Sequence, residues 1–578
     1  MKARALAALA LVAVAACSDD AGPVASEGPA AFLPCLFDGA NALQPGEVRQ
    51  VRGAEGEIVC LDGGGEYALV PFFAVRNGRT QLKVSAVGGN LQSASELGAS
   101  ASRGASAPPR TGAAVEASHA LHMNLRDRMG GEVAKLLRAS GGSLANRAGA
   151  LGAPSLAAAS GTSAAGAVAA ASAPVVGDLL QLNVPLFNGI ISACDNRNTR
   201  PARVAAVTRR AIIVHDEGNP AGGFTDAEYR AFGEQFDNLV FPVDSAAFGL
   251  PTDLDESGGR VIVFFTQEVN RLTPPGSSGY IGGFFWAGDL FPRVSNAGFE
   301  GCPTSNAGEI FYILVPDPAR GGPFSKENVQ RGAIGTLAHE MEHLISASRR
   351  LYLLNAPLEE SWLDEGLAHI AEELVFYRAT GLQPRQNLGL PQLQQNVHAA
   401  DTYILDNLLR YMTYLEKPDS NSLIGQDDLP TRGAAWAFLR YAADRHSGPD
   451  EAFFYNLVNS RETGGANVSA RIGEDAIDWM QDWTLSVLTD DAVSGVDERY
   501  LQPSWNFRSI MPIFTTRGDF PLRTIPLTSA GTAQADLLGG GTAFFRFGIP
   551  SGGRAALRLS AAGRATPETL RFSIVRTQ

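Results

Sequence analysis

The sequence is short of cysteine, of positive charge and of long apolar runs, and each shortage removes a class of protein. Lys and Arg number 47 against 60 Asp and Glu, a net charge of −13. Phosphate backbones need a positive surface field, so nucleic acid is excluded as the main partner. After the first 20 residues the one long uncharged stretch, near 153–176, is Ala-, Ser- and Gly-rich. It lacks the Leu, Ile and Phe that drive insertion, so the chain is not a bundle of membrane spans. Only five cysteines occur and none form a CxxC pair, which removes thioredoxin-type dithiols and cysteine zinc knuckles. What remains is 45% hydrophobic and 19% charged, with a mean hydropathy of −0.03. That balance suits a folded chain of several domains over 578 residues and excludes one that is wholly disordered or coiled-coil.

The N-terminus reads Met1-Lys2-Ala3-Arg4, then an apolar run from Ala5 to Ala16, then Cys17. A positive start and a short apolar core predict a signal peptide over residues 1–16. Val14-Ala15-Ala16-Cys17 resembles a bacterial lipobox, which implies a lipid on Cys17, a tether over 17–31, and anchoring at the outer membrane or cell surface. That lipid would be the chain's contact with a membrane. Setting Cys17 aside leaves Cys35, Cys60, Cys194 and Cys302, an even number in an exported chain. Sequence proximity favours Cys35–Cys60 and Cys194–Cys302.

Residues 32–87 show short apolar runs between Gly-rich turns, such as Tyr67 to Val75, and predict a small β-domain. Residues 88–117 read as a linker. Residues 118–138 read as an amphipathic helix, with Leu121, Leu125, Met129, Val133, Leu136 and Leu137 on one stripe. His119 and His122 at its start have no third ligand nearby and read as surface residues. Residues 139–177 have the composition of a disordered, low-complexity linker. From 178 to 512 strand-like runs (Ala211–Val214, Val261–Phe265, Glu309–Val315) give way to long helical patterns. Strands followed by helices predict an α+β domain in two lobes. Residues 520–578 return to Gly-bounded apolar runs and read as a separate C-terminal β-domain.

The chemistry concentrates at Thr336-Leu337-Ala338-His339-Glu340-Met341-Glu342-His343. On a helix His339 and His343 project from one face, one turn apart, as two corners of a tetrahedral zinc site. Glu340 follows the first ligand. Zinc lowers the pKa of water from 15.7 towards about 7, and Glu340 would take the proton as the oxygen attacks a carbonyl. With 8 His and no more than 60 Glu in the chain, chance yields at most about 0.01 such H-E-x-x-H motifs. Ile334, Leu337, Ala338, Met341, Leu344 and Ile345 can line a buried face of the same helix. Burying two histidines and two glutamates there would cost several kcal/mol without compensation, which argues for a metal.

A catalytic zinc keeps three protein ligands and one open position. Downstream, Glu359, Glu360, Asp364, Glu365 and His369 are candidates for the third. Ser361–Leu374 is a second helical pattern, in which Glu365, His369 and Glu372 share a face. Gly366 is expected to let the two helices approach. His369 is the rival ligand, or a residue that hydrogen-bonds one. Asp253-Leu254-Asp255-Glu256-Ser257-Gly258 looks like half of a calcium loop, but its twelfth position is Phe264, where an EF-hand needs Glu. A turn into the Val261 strand is expected instead. His215 and His446 lack partners at ligand spacing and read as structural.

His339 to His343, followed by Trp362-Leu363-Asp364-Glu365-Gly366-Leu367-Ala368, resembles the gluzincin metallopeptidases, and within them the hyicolysin-type neutral metallopeptidase family. The likeness extends to Gly279–Phe285, Ser295-Asn296 and Arg432–Tyr441, covering roughly 178–510. It implies a zincin-like fold, Zn2+ held by His339, His343 and Glu365, Glu340 as general base, and a protein or peptide substrate. A metzincin is disfavoured, because Leu344-Ile345-Ser346 replaces the Gly and third His of that pattern. Tyr403, Tyr411, Tyr414, Arg432 and His398 are candidates to stabilise the oxyanion. A monomeric peptidase, favoured as an endopeptidase, is expected; the alternatives are an aminopeptidase and a surface binding or adhesion lipoprotein on a zincin scaffold without turnover.

Overall fold

The computed structural model describes residues 41–53, 57–95, 128–139, 174–187 and 191–578, together with Cys35, Gly39 and Leu125, and apart from positions 256, 278, 297–298, 426, 447 and 530. The expected signal peptide, Cys17, His119 and His122 lie outside the described residues, as do most residues of the two expected linkers.

The architecture is α+β. A six-stranded sheet has the order β5-β6-β7-β8-β10-β9, built from β5 (Leu179–Asn183), β6 (Thr199–Val207), β7 (Ala211–Asp216), β8 (Val261–Phe265), β9 (Gly283–Phe285) and β10 (Ile310–Ile313). β7, β8 and β10 run parallel, and β9 pairs antiparallel to β10 at the sheet's edge. The central strands are near-continuous runs of Val, Ile and Phe with almost no exposed surface, as strands covered on both faces require. The Asp253 segment is the turn expected: Ser257 N donates to Asp255 and Gly259 N to Asp253, leading into β8.

Six helices matter to the site: α1 (128–139), then α2 (Lys326–Ser348), α3 (Ser361–Thr380), α4 (Leu405–Glu416), α5 (Leu429–Arg445) and α6 (Ala476–Thr489). The Ser325 hydroxyl caps α2 by accepting from Asn328 N, with Glu327 in the first turn, both favourable at a helix N-terminus. The apolar positions of α2 foreseen from spacing are all buried. α2 packs on α3, and α3 on α5.

Two expectations need correction. Gly366 does not serve the α2–α3 contact: a Cβ there would meet Leu439 Cδ1 at 2.8 Å and Ala435 Cβ at 3.1 Å, so this glycine admits α5. The apolar stretches at 32–87 and 520–578 are not two modules. Their strands interleave as β1 (Val48–Arg52), β15 (Leu570–Arg576), β3 (Gly65–Phe73), β13 (Phe545–Ile549) and β11 (Ile525–Pro526) in one sheet, and β12 (Thr532–Leu538), β4 (Arg79–Gly88), β14 (Arg554–Ala561) and β2 (Ile58–Asp62) in the other. They form one sandwich. Tyr67, Leu69 and Phe73 of β3 face its core, while the alternate residues Ala68, Val70 and Phe72 join the main core, on the side where α6 packs. A strand buried on both faces binds the sandwich to the helical lobe.

Both expected disulfides form, Cys35–Cys60 and Cys194–Cys302. Among the described residues no helix is long and apolar enough to cross a membrane.

Candidate metal centre

α2 runs beneath the sheet edge and presents His339, Glu340 and His343 to a cavity of about 450 Å³, whose lining also includes Glu365, Gly282, Phe284, Tyr403 and Arg432. Gly335, one turn before His339, is what lets the 400–404 segment cross: a Cβ there would sit 2.7 Å from Thr402 O. That crossing brings Tyr403 to the cavity.

The two imidazoles turn their Nε2 atoms toward each other, 3.2 Å apart. Glu365 from the first turns of α3 completes a triangle, with Oε2 at 3.5 Å from His339 Nε2 and Oε1 at 3.6 Å from His343 Nε2. A tetrahedral zinc about 2.0–2.1 Å from its donors sets them about 3.4 Å from one another. The triad therefore fits the ion in chemistry and spacing. On the far side of each ring Nδ1 is tied to a carboxylate: His339 to Glu372 Oε1 at 2.8 Å, His343 to Asp364 Oδ2 at 3.0 Å. Such ties set ring orientation and tautomer in metal sites. Arg432 grips Glu365 Oε2 at 3.0 Å and is itself held by Asp427.

A second grouping, His339, His369 and Glu372, also brings three donors together. It is the poorer cation site. His369 has Arg410 Nη1 3.2 Å from its Nε2 and 3.3 Å from its Nδ1, a positive charge against both ring nitrogens. Burial, with Arg410 adding to it, pushes the His369 ring down to about 3, so it is neutral. Burial works against charge on His339 too, yet hydrogen bonds to Glu365 and Glu372 outweigh it and raise His339 to about 9. Burial likewise disfavours the charge on Glu372, but the imidazoles of His369 and His339 hold its carboxyl below the usual range. The pocket around His339 thus favours positive charge.

Glu340 is nearly buried, and its Oε2 accepts from Phe285 N of β9 at 2.7 Å. The edge strand therefore fixes the carboxylate beside the triad.

The other candidates separate cleanly. Glu359 pairs with Arg350 and Asn467, and Glu360 with Arg76 and Trp362 Nε1, so neither joins the site. Tyr411 and Tyr414 are stacked in the core, and His398 is exposed and outside the cavity lining. Tyr403 and Arg432 line the cavity. His215 bonds Tyr229 and Asn219, and His446 accepts from Gly448 N. Sequence reasoning missed Arg410 and the Phe285 amide. Neither leaves a local signal, since Arg410 lies 41 residues from His369 and Phe285 lies 55 from Glu340.

Two histidines and a glutamate at metal spacing, with a further carboxylate beside them on the floor of a cleft, are a donor set and a base suited to a metal-activated water. Comparison with known proteins finds a metalloprotease relative. Over 158 residues the chain is 30% identical to the neutral metalloprotease ShpI of Staphylococcus hyicus, a match covering 27% of this chain and 32% of that protein. The match thus spans about a third of the relative's length. No family model matches the chain.

Proposed function

We infer that this protein is an exported zinc peptidase, lipid-anchored through Cys17, whose catalytic unit occupies residues 178–512. The observation that carries the reading is the triangle of His339 Nε2, His343 Nε2 and Glu365, with edges of 3.2, 3.5 and 3.6 Å, next to Glu340 on the cavity wall.

His339, His343 and Glu365 would hold Zn2+, which supplies a Lewis acid for the scissile carbonyl and lowers the pKa of attacking water. Glu340 takes the proton from that water and returns it to the departing amine nitrogen. The Phe285 amide holds its carboxylate at the cavity wall. Tyr403 and Arg432, on the cavity wall, are the side chains available to donate to the developing oxyanion. Because Arg432 already holds Glu365 and Asp427, Tyr403 is the more available donor.

The test compares casein hydrolysis and zinc content in wild type and Glu340→Ala. The expected result is one zinc in each and hydrolysis lost in the variant alone. Equal hydrolysis in both, with one zinc bound, removes Glu340 as the base. Absence of hydrolysis in a zinc-loaded wild type favours a binding lipoprotein. Radiolabelled palmitate should enter the wild type and not Cys17→Ala.

A further inference from the structure

α1 lies outside the peptidase unit in sequence yet is seated at its cleft. Leu125, Met129, Val133 and Leu136 are 8%, 5%, 4% and 6% exposed and belong to the main core. Polar clasps hold the seat: Glu132 Oε2 accepts from Ser192 Oγ at 2.6 Å and Ala193 N at 3.0 Å, and Arg128 Nη1 donates to Phe187 O at 2.5 Å.

The place it occupies continues the cleft. Leu125 lines the same cavity as His339 and Glu340. Met129, Val133 and Leu137 close a second cavity, of about 500 Å³, against Phe285, Trp286 and His343. His343 and the edge strand β9 border both cavities, Phe284 on one side and Phe285 on the other. An extended chain advances about 3.3 Å per residue, so a protein substrate crossing the site along β9 would reach α1 within a few residues.

The helix is also poorly suited to stand alone. Its described residues, 128–139, include Gly130 and Gly131, and each glycine costs about 1 kcal/mol against alanine. The seat offsets that cost. The stretches on either side are rich in Ser, Ala and Gly, with few bulky apolar residues to add to its grip.

We propose that Leu125 and α1 form an inhibitory segment of this chain, seated in the continuation of the cleft beyond His343, and that a protein substrate gains the full cleft only when the segment leaves. The proposal rests on the peptidase reading and deepens it. An occupant present nine-tenths of the time lowers apparent substrate affinity about tenfold.

The test uses the full chain carrying Met129→Asp and Val133→Asp together, with fluorescein-labelled synthetic peptide 118–139 as probe. The variant is expected to hydrolyse casein with kcat/KM raised about tenfold, through KM, while a short blocked peptide is cut at the wild-type rate. The labelled peptide is expected to bind the variant and restore inhibition, but not to bind wild type, where the seat is taken. A variant that binds the peptide yet cuts casein with wild-type kinetics overturns the inhibitory role. Peptide that binds neither protein overturns the seat. If neither protein cuts casein while the peptide binds the variant alone, the seat stands and the peptidase reading fails. Should the double variant lose its melting transition, Glu132→Ala, which removes the clasp to Ser192 and Ala193 together with the pair to Lys135, carries the same comparison.

Discussion

Replacing Glu372 by Gln distinguishes the two donor groupings that share His339. In the grouping preferred here Glu372 is not a ligand; its Oε1 holds His339 Nδ1 at 2.8 Å and also lies 3.1 Å from His369 Nδ1. Glutamine keeps the shape and the acceptor but loses the charge. A hydrogen bond to a charged group is worth about 1.5–3 kcal/mol, and loss of such an orienting partner costs tenfold to a hundredfold in metal affinity. Zinc affinity is therefore expected to fall by about that factor in Glu372→Gln, with one site per chain retained, measured by competition against a chromophoric chelator. Glu365→Gln, which removes a ligand, should lose more. His369→Phe should lose less, because neutral His369 meets Glu372 and Arg410 rather than the ion. If Glu365→Gln bound zinc like wild type while His369→Phe and Glu372→Gln lost it, the ion would sit in the other grouping and the site described here would be wrong.

Three further outcomes are expected. Removing the Cys194–Cys302 bridge, which spans 108 residues, by double substitution to Ser should cost about 4–5 kcal/mol on the chain-entropy account; calorimetry showing under 1 kcal/mol would mean the loop is already constrained without the bond. Gly433→Ala places a Cβ 2.3 Å from Tyr411 N and 2.4 Å from Arg410 C, so α4 and α5 must part; a loss of about 1–3 kcal/mol in denaturant unfolding is expected, and an unchanged midpoint would show that the helices slide freely. Asp289 is buried, and burial raises its carboxyl to about 7 against the hydrogen bonds from Asn306 and Tyr312. The folded state therefore holds its proton longer than the unfolded chain. Its contribution is complete below about pH 4 and declines as pH rises to about 7, by about 1.4 kcal/mol for each pH unit crossed. Asp289→Asn should flatten that part of the stability–pH curve, and a slope identical to wild type would contradict the assignment.

Much of the centre is legible in the sequence because covalent helix geometry carries it. Residues four apart lie on one face at 3.6 residues per turn, so His339 and His343 had to point the same way, with Glu340 one residue on. The apolar spacing of α2 and of α1 from Leu125 onward follows from the same period. The near-continuous apolar runs of β7, β8 and β10 likewise announced strands covered on both sides.

Distant pairings are not written in any local period. Nothing in Tyr67–Val75 or Phe545–Ile549 says that β3 and β13 are neighbours, and two β-modules read from composition became one sandwich because each sheet was incomplete without the other end of the chain. Gly366 was visible as a contact glycine, but which helix it admits depended on where α5 came to rest. Of Glu365, His369 and Glu372, on one face of α3, periodicity could not choose. What distinguishes them is tertiary: α4 sets Arg410 against His369, and α5 brings Arg432 to Glu365. Local spacing is set within a few bonds, whereas the field at a side chain is the sum over every element packed around it, and only the folded chain performs that sum.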